Sequence, residues 1–320
     1  MQTESIHIQK TTSQLSLANS WDHLLARWAI NRSGHRVAAG LYALGNPSPE
    51  SRVFVTANYS LSFDALRSAL DGMDAYILVL DTDGVNVWCA AGKGTFGTDE
   101  LVQRIEATGL KEVVSQRELI LPQLGAPGVA AHEVRKRSGF KVTYGPVRAA
   151  DLPAYLQAGS ATPEMRRVRF NLRDRITLIP VELVFVLIPL VIVAVALRSI
   201  PAVVAMLAGT VLFPILLPWL PTPNFTTKGF ILGLLVTLPF ALSALLAHPE
   251  VAWWFRAASA VTYLMVFPPV TAYLALNFTG STSFTSRTGV RNEIYAYIPA
   301  LVWTFGIGTV LNIVFSFLKG

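Results

Sequence analysis

Five long apolar segments in the C-terminal half most constrain what this chain can fold into. Each is close to the ~20 residues that a helix needs to cross the hydrocarbon core of a bilayer. The last four contain no charged residue, and the first contains only Glu182. We therefore predict an all-α membrane domain of five transmembrane helices at residues 176–320, with spans at 176–197, 200–220, 229–247, 257–276 and 295–318.

The distribution of charge predicts how these helices are oriented. Charged residues make up 14% of the chain, and five arginines crowd residues 166–175, just before the first span. By the positive-inside rule, the residues before this cluster lie in the cytoplasm. Five spans then place the C-terminus on the outer side of the cytoplasmic (inner) membrane, in a multi-pass protein. The net charge of +6 fits a membrane surface. No basic patch interleaved with aromatics indicates a nucleic-acid partner.

The first half alternates short apolar runs with helical patterns, which is typical of an α/β domain with a mostly parallel sheet. We expect an amphipathic helix from Ser20 to Ile30 and strands at 36–44, 52–55, 76–80, 113–114, 119–122 and 142–144. This domain is predicted to span residues 21–160. Residues 1–20 are predicted to be a disordered N-terminus and residues 161–175 a basic juxtamembrane linker.

The only cysteine of the chain lies in the stretch from Asn86 to Lys93, after the strand at 76–80. Asn86 is a good helix N-cap, since its side chain can accept a hydrogen bond from the amide of Cys89. A cysteine in the first turn of a helix is expected to favour the thiolate. The small residues Ala90, Ala91 and Gly92 would let a large planar cofactor lie against the helix. The alternative is a buried structural cysteine.

The eight residues 86–93, Asn-Val-Trp-Cys-Ala-Ala-Gly-Lys, resemble the cap-helix motif of the HgcA family. These are membrane-bound corrinoid proteins of mercury methylation, related to the large subunit of the corrinoid iron–sulfur protein of acetyl-CoA synthesis. The segments 55–59 and 144–149 also resemble that family. The resemblance implies a Rossmann-like cobalamin-binding domain with a cap helix. It also implies a cobalamin-type corrinoid held base-off, with Cys89 as the catalytic residue and lower axial ligand of cobalt.

Parallel sheets bind ligands beyond the carboxyl ends of their strands. Together with the resemblance, this makes the strand exits candidate cofactor contacts. Ordinary turns are the alternative for each of them. The candidate cofactor-binding residues are Thr56, Asn58, Asn86, Val87, Trp88, Ala90, Ala91, Gly92, Gly125, Gly128, Val129, Tyr144 and Gly145.

Two other motifs fail on their context. Residues 92–97 spell G-x-G-x-x-G, but they follow the predicted cap helix and not a strand, as a dinucleotide-binding site requires. A P-loop is excluded because Val87 stands at its first glycine and Gly94 at its Ser or Thr. His132, within a charged helix, is expected to be a surface residue.

Three functions fit these features. The first, favoured because of Cys89, is a corrinoid-dependent methyltransferase that moves a methyl group from methyl-Co(III) to inorganic Hg(II) and forms methylmercury. The second is a membrane-tethered corrinoid methyl carrier of one-carbon metabolism, of the acetyl-CoA pathway type. The third is a cobalamin-sensing membrane protein or transporter. A thiolate below the cobalt would push electron density towards the methyl group above it.

A single cysteine excludes an iron–sulfur cluster within the chain. The resemblance therefore implies an HgcB-like ferredoxin with two four-iron clusters as reductant and possible Hg(II) donor. A methyl donor protein or the methyltetrahydrofolate pathway would supply the methyl group. The hydroxyl-rich loop 277–286 is expected to dock the α/β domain, and Glu182 to snorkel or to pair with an arginine.

Overall fold

The computed structural model describes residues 7–247, 249–282 and 286–318. The chain forms two compact units, Met1–Val168 and Arg169–Gly320, which we call the N-terminal unit and the helical unit. The division falls inside the predicted linker. Its first part belongs to the N-terminal unit because Ala161 and Met165 pack against that unit's core. The backbone carbonyl of Met165 also accepts a hydrogen bond from the amide of Val147 at 2.8 Å.

The N-terminal unit contains a six-stranded mixed sheet in the order β1-β2-β4-β3-β5-β6. Strands β3, β4, β5 and β6 run parallel, as predicted. Strand β2 pairs antiparallel with β4, so β1 and β2 run the opposite way. The strands are β1 (Ile8–Thr11), β2 (Gly40–Leu44), β3 (Val53–Ala57), β4 (Ala75–Leu80), β5 (Glu118–Leu121) and β6 (Lys141–Tyr144).

Helices cover both faces of this sheet. Every residue of β3 and β4 is buried, since these continuous apolar runs face a helical layer on each side. Leu101 of α4 and Val134 of α6 pack on one face, and Leu66 of α2 and Leu152 of α7 on the other. The helices are α1 (Leu17–Arg27), α2 (Ser60–Ala69), α3 (Val87–Lys93), α4 (Thr98–Ala107), α5 (Leu110–Val113), α6 (Ala131–Ser138) and α7 (Leu152–Ala158).

The N-terminal segment is more ordered than expected. Residues 1–6 lie outside the described residues, but β1 and the first residues of α1 fall within the stretch predicted to be disordered. The edge of the sheet and a capping box at Ser16 account for this order. Arg67 also donates to the carbonyls of Thr12 and Gln14 at 2.6 and 2.7 Å. A second expectation was also wrong, because the strand predicted at 113–114 is the end of α5.

The helical unit contains four helices long and apolar enough to cross a membrane, within the part of the chain that the structure describes. The predicted count of five is not confirmed. The segment Ile200–Leu216 is shorter and includes a π-helical stretch, Ala208–Leu212. The helices are α8 (Leu172–Val191, continuing as a π-helix to Ala196), α9 (Ile200–Leu207), α10 (Phe213–Leu216), α11 (Phe225–Leu246), α12 (Trp253–Asn277) and α13 (Arg287–Leu318).

Two buried carboxylates of the helical unit, those of Glu182 and Glu293, have partners within it. The hydroxyl of Ser281 donates to Glu182 at 2.6 Å, which gives the loop after α12 a contact with α8. Glu293 of α13 accepts from the amide of Thr226 at the start of α11, at 2.5 Å. Of the hydroxyl-rich loop, residues 283–285 lie outside the described residues.

Candidate functional site

The site is built where the parallel strands β3, β4, β5 and β6 end. The chain leaves β4 through a short loop containing Asp83 and Gly84, both with left-handed backbone angles, and enters α3. Because the carboxyl ends of parallel strands lie along one edge, α3 starts beside the exits of β3 and β5. The ligand-binding edge predicted from the sequence is therefore the edge at which Cys89 lies.

The start of α3 is capped as predicted. The side-chain oxygen of Asn86 accepts from the backbone amide of Cys89 at 2.9 Å. This bond satisfies one of the amides that a helix leaves unpaired in its first turn. Cys89 is a free cysteine with a partly exposed side chain. The thiol is therefore held at a defined place and is accessible to a ligand.

The small residues of α3 have two different orientations. Ala90 and Ala91 face inwards and are buried in the core. The expectation that all three small residues form the outer flank is thus met only by Gly92, which is exposed. The backbone around α3 explains why position 128 is a glycine: a Cβ there would collide with the carbonyl of Phe96 and lie 3.0 Å from the Cα of Ala91. Gly128 therefore lets the loop after β5 pack directly against α3.

Asn58, at the end of β3, positions the loop that leads to α3. Its side-chain oxygen accepts from the amides of Thr82 and Gly84 at 3.1 and 3.0 Å, and from the Thr82 hydroxyl at 2.9 Å. Its side-chain nitrogen donates to Asp81 at 3.0 Å. Asn58 is buried, and these bonds occupy its amide group. In this structure it orients the loop before α3.

A cavity of about 210 Å³ lies between the ends of β3 and β5, beside the start of α3. Its walls are mainly apolar, from α2, β3, β5 and the loop after β6. Among the predicted site residues it brings together Thr56, Asn86, Val87 and Trp88.

The remaining predicted residues lie in the loop after β5, at the end of β6 and just after it. The hydroxyl of Tyr144 donates to the carbonyl of Val129 at 2.5 Å and so joins the end of β6 to the loop after β5. Gly125 packs against the ring of Phe96, where a Cβ would lie 2.5 Å from a ring carbon. Gly145 is buried beside Ile120. These residues shape the part of the site that lies at the carboxyl ends of β5 and β6.

Three further residues support the site but are not among the candidate cofactor-binding residues. Thr82 is fully buried and donates to Asn58 from its amide and its hydroxyl, and Glu100 of α4 accepts from the amide of Asp81 at 2.8 Å. Tyr59 lies close enough to Cys89 for the two to interact electrostatically. Burial raises the pKa of Tyr59, and the negative charge of Asp22 raises it further. The sequence did mark the strand-exit segment 55–59, which ends at Tyr59, and the polar run 81–84. It did not show the contacts themselves, because the partners are far apart along the chain.

The donor side chains among the described residues limit which metal sites they could form by themselves. Among the described residues, no group of three or more His, Cys, Asp or Glu side chains is placed to bind a metal ion. A protein-ligated ion needs about four ligands, as zinc sites show. A metal that brings its own equatorial ligands in a macrocycle needs only one axial donor, and Cys89 is a soft donor of that kind.

Comparison with known proteins identifies relatives of the N-terminal unit. Residues 26–156 match the family model CdhD, described as the CO dehydrogenase/acetyl-CoA synthase delta subunit. That range contains Cys89 and every other predicted site residue. The predicted relation to the acetyl-CoA pathway is supported at this level.

Several archaeal proteins share this similarity. The acetyl-CoA decarbonylase/synthase complex subunit gamma of Archaeoglobus fulgidus is 31% identical over 128 residues, 39% of this chain and 27% of that protein. The subunit of the same name from Methanothermobacter thermautotrophicus is 33% identical over 127 residues, again 39% and 27%. That of Methanocaldococcus jannaschii is 36% identical over 97 residues, 30% and 20%. The chain thus spans about a quarter of the length of these relatives.

Proposed function

We propose that this chain is a membrane-anchored corrinoid protein that carries and transfers a methyl group. The observation that carries the proposal is the position of Cys89. The thiol is partly exposed at the carboxyl edge of the parallel strands and is held by the Asn86 cap. It also lies within residues that match subunits of acetyl-CoA-synthesising complexes.

The residues at this edge fit a corrinoid. Cys89 offers the single axial donor that a macrocyclic metal requires. Gly92, one turn further along α3 and exposed, leaves space beside the sulfur for a planar ring. The cavity next to Trp88 is large enough for one substituent of the ring, not for the ring itself. Thr56 and the residues around Val129 and Tyr144 would contact the substituents of the ring.

The protein's part in the chemistry is positional and electronic. A bound corrinoid supplies a cobalt centre that accepts and releases methyl groups. The Cys89 thiolate would hold that cobalt in place of the cofactor's own base. The Asn86 cap and the Asn58 network would keep the sulfur in one place, because they fix the start of α3 and the loop before it.

The first candidate process is one-carbon metabolism. The relatives are named as gamma subunits of the acetyl-CoA decarbonylase/synthase complex. By this analogy the chain carries methyl groups between a donor protein or the methyltetrahydrofolate pathway and an acceptor enzyme. The four membrane-length helices would keep this carrier at the inner membrane. The N-terminal unit would lie on the cytoplasmic side of that membrane.

A second candidate acceptor is inorganic Hg(II), and Cys89 is the observation that favours it. The eight-residue motif around Cys89 resembles the mercury-methylating family, and a thiolate ligand pushes electron density towards the group above the metal. Such a protein needs an external low-potential reductant, since the chain has one cysteine and no cluster of its own. An HgcB-like ferredoxin would serve as reductant and possible Hg(II) donor.

The corrinoid assignment is tested on the purified full chain, by its cobalt content and its visible spectrum. Cys89→Ala should shift the corrinoid absorption, and Lys93→Ala, an exposed position on the same helix, should not. Cobalt-free wild-type protein that also fails to take up added cobalamin would refute the proposal.

The acceptor is tested separately by methylmercury formation in cells with and without the chain. If cells contain the corrinoid-loaded protein but form no methylmercury, the result would favour a methyl carrier of one-carbon metabolism over mercury methylation.

A further inference from the structure

Helix α1 is attached to its unit by its polar side. His23 binds Asp64 of α2 at 2.8 Å, and Asp22 binds the ring of His35 at 2.7 Å. Asp22 also accepts from the hydroxyl of Ser60 at 2.5 Å. No residue of α1 is buried. A surface helix ordinarily turns its apolar side to the core, so this helix is oriented the opposite way.

The apolar side of α1 therefore faces outwards. Leu17, Trp21, Leu24 and Trp28 follow each other at steps of four, three and four residues, which places them on one face at about 100° per residue. We call these four residues the outer stripe. Leu17 is 90% exposed and Trp21 is 61% exposed. A contiguous apolar surface of this kind marks a contact with a partner or a membrane.

The exposed charges at the C-terminal end of the outer stripe are positive, and they come from Arg27 and Arg32. Asp22 is the one acidic residue between positions 7 and 36, and it is bound to His35 and Ser60 on the inner side of the helix. The partner of this surface should therefore be apolar along the stripe and negatively charged beside the C-terminal end of α1.

We propose that the outer stripe of α1 lies in the headgroup region of a bilayer that contains anionic lipid. Trp and Leu on one face with Arg at the border is the pattern of helices that lie in the membrane interface. Trp rings favour that depth, and arginines at the border are attracted to an anionic surface. The chain's own membrane-length helices keep a bilayer within reach, so this contact costs little translational entropy.

The first test is hydrogen exchange of the unmodified full chain in two kinds of nanodisc. One contains phosphatidylcholine alone and the other phosphatidylcholine mixed with phosphatidylglycerol. Amides of residues 15–30 should exchange several-fold more slowly in the anionic nanodiscs, and Arg27→Glu with Arg32→Glu should remove the difference. Equal exchange of this segment in both nanodiscs would overturn the proposal.

The second test locates the stripe directly. A nitroxide on Leu17→Cys, in the Cys89→Ala background, is compared with one on Glu106→Cys, an exposed position of α4. In anionic nanodiscs, the label at position 17 should be reached more readily by oxygen than by a water-soluble nickel chelate. The label at position 106 should show the reverse. Full access of nickel to position 17 refutes the lipid contact. Shielding from both reagents, in detergent as well as in lipid, would instead show a protein partner or a second copy and also refute it.

Discussion

The side chain of Asn58 is bonded to the backbone and the hydroxyl of Thr82, which lies 24 positions further along the chain. Both residues are buried, and the bond joins the exits of β3 and β4. The loop that starts at Thr82 carries the chain into α3. The position of Cys89 thus depends on a polar link that includes no residue of its own helix.

Replacing Asn58 should loosen the loop before Cys89. Asn58→Ala leaves the buried amides of Thr82 and Gly84 without their acceptor, at a cost of ~1–3 kcal/mol for each. Hydrogen exchange of residues 81–87 should be at least about tenfold faster than in the wild type. Asn46→Ala, at an exposed position, is the control. Unchanged exchange in Asn58→Ala would contradict the role assigned to this link.

Removing the cap of α3 should weaken cobalt ligation without abolishing it. Asn86→Ala loses the bond to the amide of Cys89, which typically costs ~1 kcal/mol. The fraction of thiolate-ligated corrinoid, measured from the visible spectrum, should fall. Asn86→Asp keeps an acceptor at the same place and should restore most of the ligation. Identical spectra for the Ala variant and the wild type would show that the cap does not matter for the sulfur.

Gly128 should tolerate no side chain. The Cβ in Gly128→Ala would meet the carbonyl of Phe96 and the backbone of Ala91, so α3 must move away from the loop. We expect a loss of a few kcal/mol, typical of forcing an extra methyl into a packed site, and a lower cobalt content per protein. Gly280→Ala is the control, because a Cβ there meets nothing within 4 Å. Full cobalt loading of Gly128→Ala would show that the close approach is not required.

Residues 28–36, between α1 and β2, should be most stable against local opening in mildly acidic solution. Burial alone lowers the pKa of His35, but its bonds to Asp22 and the Ile30 carbonyl hold the pKa above the ordinary 6.5. This contribution to stability is present below pH 6.5 and is lost as the pH rises through the raised value.

The pKa of Asp22 sets the acidic limit of this stability. Burial raises the pKa of Asp22, but bonds to Ser60 and His35 outweigh the effect of burial and hold the pKa below 3.8. The Asp22 contribution is therefore present above pH 3.8 and is lost as the pH falls through that lowered value.

The measurement is hydrogen exchange of residues 28–36, corrected for the intrinsic effect of pH. Opening of this segment should increase as the pH rises above 6.5 and through the raised pKa of His35. His35→Gln should remove that dependence, and His132→Gln should not, since the His132 side chain is 82% exposed. A pH dependence that persists in His35→Gln would assign the effect to another group.

The topology of the helical unit depends on the short segment Ile200–Leu216. If it crosses together with the four longer helices, a reporter fused after Gly320 lies outside the cell and one near Ala107 lies in the cytoplasm. We expect this result from the arginines before the first span. Cytoplasmic location of both reporters would show that the short segment enters the membrane without crossing it.

The features that the sequence determined by itself are local ones. Asn86 caps the amide of Cys89 because both groups lie within a single turn, where spacing alone brings them together. The strands β3 and β4 and the long helices of the helical unit could also be predicted from their apolar runs. Continuous apolar residues are stable only where they are buried in a core or surrounded by lipid. The exits of the parallel strands followed from the alternation of strands and helices.

Tertiary structure decided the features that join distant residues. The antiparallel direction of β2, the link from Asn58 to Thr82 and the approach of Gly128 to Ala91 each depend on which elements become neighbours. Local periodicity contains no information on that choice. For the same reason the sequence showed that α1 is amphipathic but not which side faces the core. Side-chain contacts with Asp64 and His35 hold its polar side and leave its apolar side exposed.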